Sequence, residues 1–136
     1  MNKYLEDIDI KSYLYPWLNW ELEAQRHIIK IAFSKDKPVG FVAFRFVSSR
    51  DIGENGILIS KLAVHPDWRG LRIGTSLLNH VEDIAQQQKV NKLIMVLHED
   101  NESRSFLIKK GFLATNIIRE MFPDNCDGYR FRKILC

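Results

Sequence analysis

The stretch HPDWRGLRIGTSLL, residues 65–78, decides how the rest of the chain is read. It follows an apolar run, GILISKLAV (56–64), and leads into an amphipathic one. Two glycines, Gly70 and Gly74, and two arginines, Arg69 and Arg72, stand at the junction. The start of a helix carries unpaired backbone N–H groups and a partial positive charge, so it receives phosphate readily. Without side chains at Gly70 and Gly74, a phosphate can approach the amides of residues 70–75. Arg69 and Arg72 add charge beside them and Thr75 adds a hydroxyl. The plainer alternative is a tight strand-to-helix turn with solvated arginines, because glycine and basic residues are common in turns. Two standard phosphate loops do not occur: there is neither GxxxxGK followed by Ser or Thr, nor GxGxxG.

Working outward, the element pattern is consistent. HIIKIAFSK (27–35) and VGFVAFRFVSS (39–49), rich in β-branched and aromatic residues, read as a hairpin with KDKP between them. SRDIGENG (49–56) is a loop by composition, and GILISKLAV is a third strand. From Gly70 to about Lys89 the pattern is helical, with Ile73, Leu77, Leu78, Val81, Ile84 and Ala85 forming one apolar stripe. KLIMVLHE (92–99) is a buried-type strand, and the intervening helix makes it parallel to the strand before. NESRSFLIKKGF (101–112) reads as a short helix with Asn101 as cap and Gly111 as stop. FLATNIIREMF (112–122) and YRFRKIL (129–135) are the last strands, joined by PDNCDG. The first 25 residues suggest one or two short helices broken at Pro16. The sum is an α+β fold, with about six strands and three or four helices around one mixed sheet.

Composition narrows the function. At 136 residues the chain fits one domain, residues 1–136. Hydrophobic residues are 46% and charged residues 27%, which is globular composition. A net charge of +3 is too mild to indicate nucleic-acid binding. Glu6, Asp7 and Asp9 near the start argue against a signal peptide, and no run reaches the ~18 apolar residues of a membrane helix. Cys126 and Cys136, with no CxxC, suggest free thiols in a reducing cytosol, hence a cytoplasmic protein. His27, His65, His80 and His98 are scattered, with no metal-ligand spacing, so no metal is expected.

LAVHPDWRGLRIGTSLL resembles the central motif of the GNAT superfamily, the acetyl-CoA-dependent N-acetyltransferases. The family pattern, Arg/Gln-x-x-Gly-x-Gly/Ala after a strand that ends in a hydrophobic-x-Val and a Pro, falls on Arg69-Gly70-Leu71-Arg72-Ile73-Gly74. Arg72 stands at the usual middle glycine. KPVGFVAF (37–44) resembles the family's VGF strand and FLIKKGF (106–112) its FYEKLGF helix end, so the likeness covers roughly residues 28–122. It implies a GNAT-like mixed, mostly antiparallel sheet of six to seven strands, helices on both faces and splayed central strands. It also implies acetyl-CoA as co-substrate. The backbone of Leu62, Ala63 and Val64 would bond the pantetheine arm, with the Val64 N–H as oxyanion donor. Arg69, Gly70, Leu71, Arg72, Ile73, Gly74 and Thr75 would hold the pyrophosphate. Asn101, or Asp100, would touch the cofactor arm.

The reaction implied is direct attack of a neutral amine on the thioester, with coenzyme A leaving as thiolate. Many relatives protonate that thiolate with a tyrosine, but counting back from Gly111 the place holds Leu107, which cannot donate. Ser103, Ser105 or a water could serve, or the thiolate needs no acid. Candidates for the base are Glu54, His98 and Glu99, with His98 first because imidazole titrates near neutrality.

For the acceptor, LYPWLNW (14–20) resembles the PW segment of the ribosomal-protein N-terminal acetyltransferases. Met121-Phe122 departs from that group's paired tyrosines. Trp17 and Trp20 read equally as packing anchors. A protein N-terminus or lysine, a small amine, a polyamine or an aminoglycoside stay open, with Asp51 and Glu54 as the acidic groups for the last. Two other readings compete. One is a non-catalytic acyl-CoA sensor or interaction domain. The other is a single-stranded nucleic-acid binder using Arg45, Arg130, Arg132 and Lys133. The alternation in YRFRK suits an ordinary strand better, so no nucleic-acid or membrane partner is expected. The chain is expected to be a monomer or homodimer.

Overall fold

A two-residue turn sets the first hairpin. β1 (Ile28–Ser34) and β2 (Lys37–Val47) pair antiparallel from Ile28↔Phe44 to Ser34↔Lys37. Only Lys35 and Asp36 lie between, both left-handed at φ 48° and 71°. Two left-handed residues make the type I′ turn, whose twist matches that of paired strands. Lys37 and Pro38, expected in the turn, belong to β2. Pro38 is accommodated at the strand's start, opposite Phe33, where the register shifts.

A computed structural model describes residues 27–135 apart from Asp100 and Glu102. The expected helices around Pro16, the LYPWLNW segment, Asp100 and Cys136 lie outside the described residues. After β2 come α1 (Ser49–Ile52), β3 (Gly56–Val64), a 3-10 turn (Pro66–Trp68), α2 (Ile73–Gln87), β4 (Lys92–His98), α3 (Arg104–Lys109), β5 (Leu113–Ile118) and β6 (Gly128–Ile134). The sheet order is β1-β2-β3-β4-β6-β5. The β3–β4 ladder is parallel; the β1–β2, β4–β6 and β5–β6 ladders are antiparallel. This is the mixed, mostly antiparallel sheet expected, with six strands among the described residues.

The described residues form two compact units. The first holds those up to Arg45 together with Ser60–Val81; the second holds Phe46–Ile59 and the residues from Glu82 onward. In the first, Val39, Phe41, Val42, Ala43 and Phe44 of β2 are buried, as are Leu77, Leu78 and Val81 of the α2 stripe. Gly40 brings these layers together. A Cβ there would lie 3.0 Å from the Ala63 carbonyl oxygen and 3.3 Å from Ile73 Cγ2, so any side chain would separate β2 from β3 and α2. That contact gives the glycine of KPVGFVAF its physical reason.

In the second unit, Ile57 and Ile59 of β3, Leu93 to Met95 of β4, Leu107, Phe112 and Phe131 form the core. The parallel ladder runs from Ile57↔Leu93 to Ile59↔Met95, and β3 then continues into the first unit. Three elements depart from the sequence reading. SRDIGENG contains one helical turn, α1, closed by Gly53 at φ 87°, whose N–H donates to the Ser49 carbonyl at 3.0 Å. α2 starts at Ile73 rather than Gly70, because Gly70 and Arg72 are left-handed at φ 82° and 65° and cannot continue a helix. β5 stops at Ile118, four residues early. There Asp127 draws the chain into a turn, accepting the Glu120 N–H at 2.9 Å and pairing with Arg119 at 3.1 Å. Gly111 ends α3 as read, at φ 94°. Among the described residues no helix is long and apolar enough to cross a membrane.

Candidate functional site

The first unit assembles the residues around the opening stretch. β3 ends at Val64, and the next residue, His65, still bonds to β2 through its N–H and the Val39 carbonyl at 2.8 Å. His65 is buried and caps the 3-10 turn, its Nδ1 accepting the Asp67 N–H at 3.1 Å. That bond requires an unprotonated Nδ1, so a neutral His65 carries its proton on Nε2. Arg69 reaches back, its Nε donating to the Val64 carbonyl at 3.2 Å. The strand end, turn and helix start are thereby tied into one loop.

The first bond inside α2 runs from the Ser76 N–H to the Arg72 carbonyl at 3.0 Å. The N–H groups of Ile73, Gly74 and Thr75 therefore have no partner within the helix. No acidic side chain occupies the first turn to neutralise that positive end. At Gly70 a Cβ would meet nothing within 4 Å, so the loop is open on that side. Its glycine is needed for the left-handed backbone. Arg69, Leu71 and Arg72 are exposed, while Leu62 to Val64 and Ile73 to Thr75 are half-buried. The arrangement presents backbone donors and two arginines with little to obstruct an anion.

Over residues 2–112 the chain matches the acetyltransferase (GNAT) family. The chain belongs to that family. Solved structures with the same fold include an aminoglycoside 6'-N-acetyltransferase complexed with coenzyme A. Its TM-score is 0.79 at 14% identity, over 98% of this chain and 90% of that one. The ribosomal-protein-S18-alanine N-acetyltransferase from Escherichia coli has a TM-score of 0.72 at 20% identity, over 90% and 80%. The PaiA N-acetyltransferase from Thermoplasma acidophilum, also with coenzyme A, has a TM-score of 0.68 at 18% identity, over 95% and 79%. No curated protein matches the chain significantly. The GNAT loop explains its own pattern here: the middle glycine falls on Arg72, whose backbone is left-handed.

The second unit holds the other GNAT candidates, and it treats them differently. Glu54, from the loop before β3, is half-buried and faces three cations. Arg132 grips both its oxygens, with Nε at 2.6 Å from Oε1 and Nη2 on Oε2. Lys92 and Arg130 each approach at 3.1 Å. The Arg132 bonds outweigh burial and, with Lys92, lower the Glu54 pKa to about 2. A carboxylate held that low is a weak proton acceptor near neutrality, so Glu54 is an organiser of β4 and β6 rather than a base. Lys133 pairs with Glu82 at 2.9 Å. Arg130, Arg132 and Lys133, three of the four basic residues named for nucleic-acid binding, are thus half-buried and paired with carboxylates.

His98 ends β4, its Nε2 2.7 Å from Asp124 Oδ2 and its ring 4.7 Å from that of Phe122. Glu99 bonds the Asp127 N–H at 3.2 Å. Asn101 is exposed after β4, and its Oδ1 accepts the Ser103 N–H at 2.8 Å. It closes a turn just ahead of α3, for which Ser103 is the cap residue. A cofactor contact would fall to its Nδ2. Leu107 is fully buried, and Ser103 and Ser105 are exposed. Three features escaped sequence reading. The His65 cap had one local clue, the following Pro-Asp. The Glu54 cluster and the Asp127 anchor depend on partners far along the chain or on one loop's geometry.

Two measurements test these assignments. Glu54 has a folded-state pKa below its ordinary 4.5, so its contribution is full above about pH 4.5 and is lost as pH falls toward 2. In urea unfolding, Glu54→Gln should be less stable than wild type at pH 7, with the gap closing as pH falls toward 2; a gap independent of pH would refute the cluster. Arg72→Gly relieves a left-handed residue, so it should raise unfolding free energy by about 0.5–1 kcal/mol. A lowered value would mean that the arginine side chain holds the loop.

Proposed function

We propose that the protein transfers an acetyl group from acetyl-CoA to a primary amine by direct attack in a ternary complex. The observation that carries this is the start of α2, where the amides of Ile73 to Thr75, which have no partner within the helix, adjoin a loop shaped by left-handed Gly70 and Arg72. There the pyrophosphate takes the amides of residues 70–75, with Arg69 and Arg72 supplying charge and Thr75 a hydroxyl. The pantetheine arm bonds along Leu62, Ala63 and Val64. Asn101 contributes a contact to the arm through its side-chain amide.

In the reaction the amine nitrogen bonds to the thioester carbon and the carbon–sulfur bond breaks. The Val64 N–H stabilises charge on the carbonyl oxygen. His98 is the proposed acceptor for the amine's proton, chosen for its chemistry, since Glu54 is occupied by cations. With Leu107 in the core, the thiolate leaves unaided or takes a proton from water, Ser103 or Ser105. The neighbours complexed with coenzyme A support the co-substrate. They leave the acceptor open, because they include enzymes named for an aminoglycoside and for a ribosomal protein. The buried Leu107 favours one rival, a non-catalytic acyl-CoA-binding domain.

Gly74→Glu is the direct test. A glutamate in the first turn suits the helix dipole, so the variant should fold, yet it sets a carboxylate where the phosphates would sit. Acetyl-CoA binding should be lost with the circular dichroism spectrum unchanged; intact binding would sink the assignment. Coenzyme A release with a panel of amines separates transfer from simple binding. His98→Gln should slow that release by about a hundredfold or more if the imidazole is the base. An unchanged rate would exclude it.

A further inference from the structure

We propose that His98, Asp124 and Cys126 form a binding site for a divalent ion of the zinc class. The nitrogen, carboxylate oxygen and sulfur of these three residues all lie within 4.8 Å of one another. Two ligands bound to one zinc ion at tetrahedral angles are roughly 3.3–3.7 Å apart, from metal–ligand distances of about 2.0–2.3 Å. For the three to share an ion, His98 and Asp124 part slightly from their 2.7 Å bond and the wider separations, up to 4.8 Å, close by about 1 Å. Imidazole, carboxylate and thiolate together are a borderline-soft set, which favours zinc or cobalt over magnesium or calcium. Three protein ligands leave a fourth position for water.

The scaffold around these atoms is built before any ion arrives. His98 stands at the end of β4, opposite Gly128 in the ladder, and its carbonyl accepts the Asn101 N–H at 2.9 Å. Its ring is set by Phe122 and by the 2.7 Å bond to Asp124. Asp124 and Cys126 come from the β5–β6 connection, which is tied at several points. Asp124 Oδ1 accepts the Cys126 N–H at 3.0 Å, and the Asn125 N–H donates to the Phe122 carbonyl at 2.9 Å. The Glu99 N–H donates to the Asp127 carbonyl at 2.9 Å, clamping the connection to the end of β4. The Glu99 and Asp124 carboxylates near the Cys126 thiol push its pKa upward. On metal binding the thiol proton passes to solvent, the sulfur bonds to the ion, and Glu99 adds negative charge beside it. Asp124 is exposed, and His98 and Cys126 are half-buried, so the ion has an approach. Sequence spacing hides the set, since His98 is 26 residues from Asp124.

The site shares His98 with the acetyl-transfer reading, and an imidazole nitrogen that holds an ion cannot also accept the amine's proton, but its test uses neither acetyl-CoA nor an amine. The full chain, without an affinity tag, is titrated with cobalt(II) and then with zinc(II). Expected is one equivalent of cobalt with a thiolate-to-metal charge-transfer band, displaced by zinc. Cys126→Ser should abolish the band, whereas Cys136→Ser should keep it. Asp124→Asn and His98→Ala should each weaken binding by about tenfold or more. Circular dichroism in metal-free buffer confirms that each variant is folded. No stoichiometric binding, binding without a thiolate band, or a band that survives Cys126→Ser would overturn the proposal.

Discussion

An α-helix cannot bond its own first N–H groups, and in this protein the start of α2 settles where those groups point. Two residues, Gly70 and Arg72, take left-handed backbone conformations that stop the helix from extending back toward β3. His65 and Arg69 fix the loop from the other side, one by capping the 3-10 turn and one by bonding the Val64 carbonyl. The helix can start so close to the strand because Gly40 leaves no Cβ between β2 and the layer above it. Together these features leave donors and positive charge beside a loop that is open at Gly70. The family's glycine-rich pattern is thereby accounted for by conformation and clearance.

The second unit is governed by charge. One carboxylate, Glu54, faces Lys92, Arg130 and Arg132, which project from neighbouring strands β4 and β6. Leaving any of these cations unpaired in a half-buried setting would be costly, so the pairing fixes the α1–β3 loop over that face. The same arrangement explains why an acid suggested as a base is unsuited to it. Leu107 makes a parallel case: the place where many relatives have a tyrosine is here fully buried, serving packing in place of proton donation.

How much could be read in advance follows from the range of the forces involved. The strands, the stripe on α2 and the Gly111 stop were legible because periodicity and turn chemistry are local. The order of motifs likewise carried the family and its fold. Element ends were less legible. The Gly70–Lys89 helix lost its first turn to left-handed residues, one of which, an arginine, gives no sign in sequence of adopting that conformation. The strand read to Phe122 ended at Ile118 because Asp127, from beyond the turn, claims the Glu120 N–H. For the catalytic candidates the difficulty was greater still. What Glu54 does depends on Lys92, 38 residues away, and Arg132, 78 residues away. No local pattern encodes such pairings.

If the start of α2 is a pyrophosphate cradle, affinity must reside in the part of the co-substrate that bears the phosphates. Calorimetric titration with acetyl-CoA beside S-acetylpantetheine, which has the same thioester and arm without the pyrophosphate, measures this directly. Acetylpantetheine should bind at least about a hundredfold more weakly, a difference of roughly 2.7 kcal/mol. Equal affinity for the two, or no binding of acetyl-CoA at all, would contradict the cradle and leave HPDWRGLRIGTSLL an ordinary helix start.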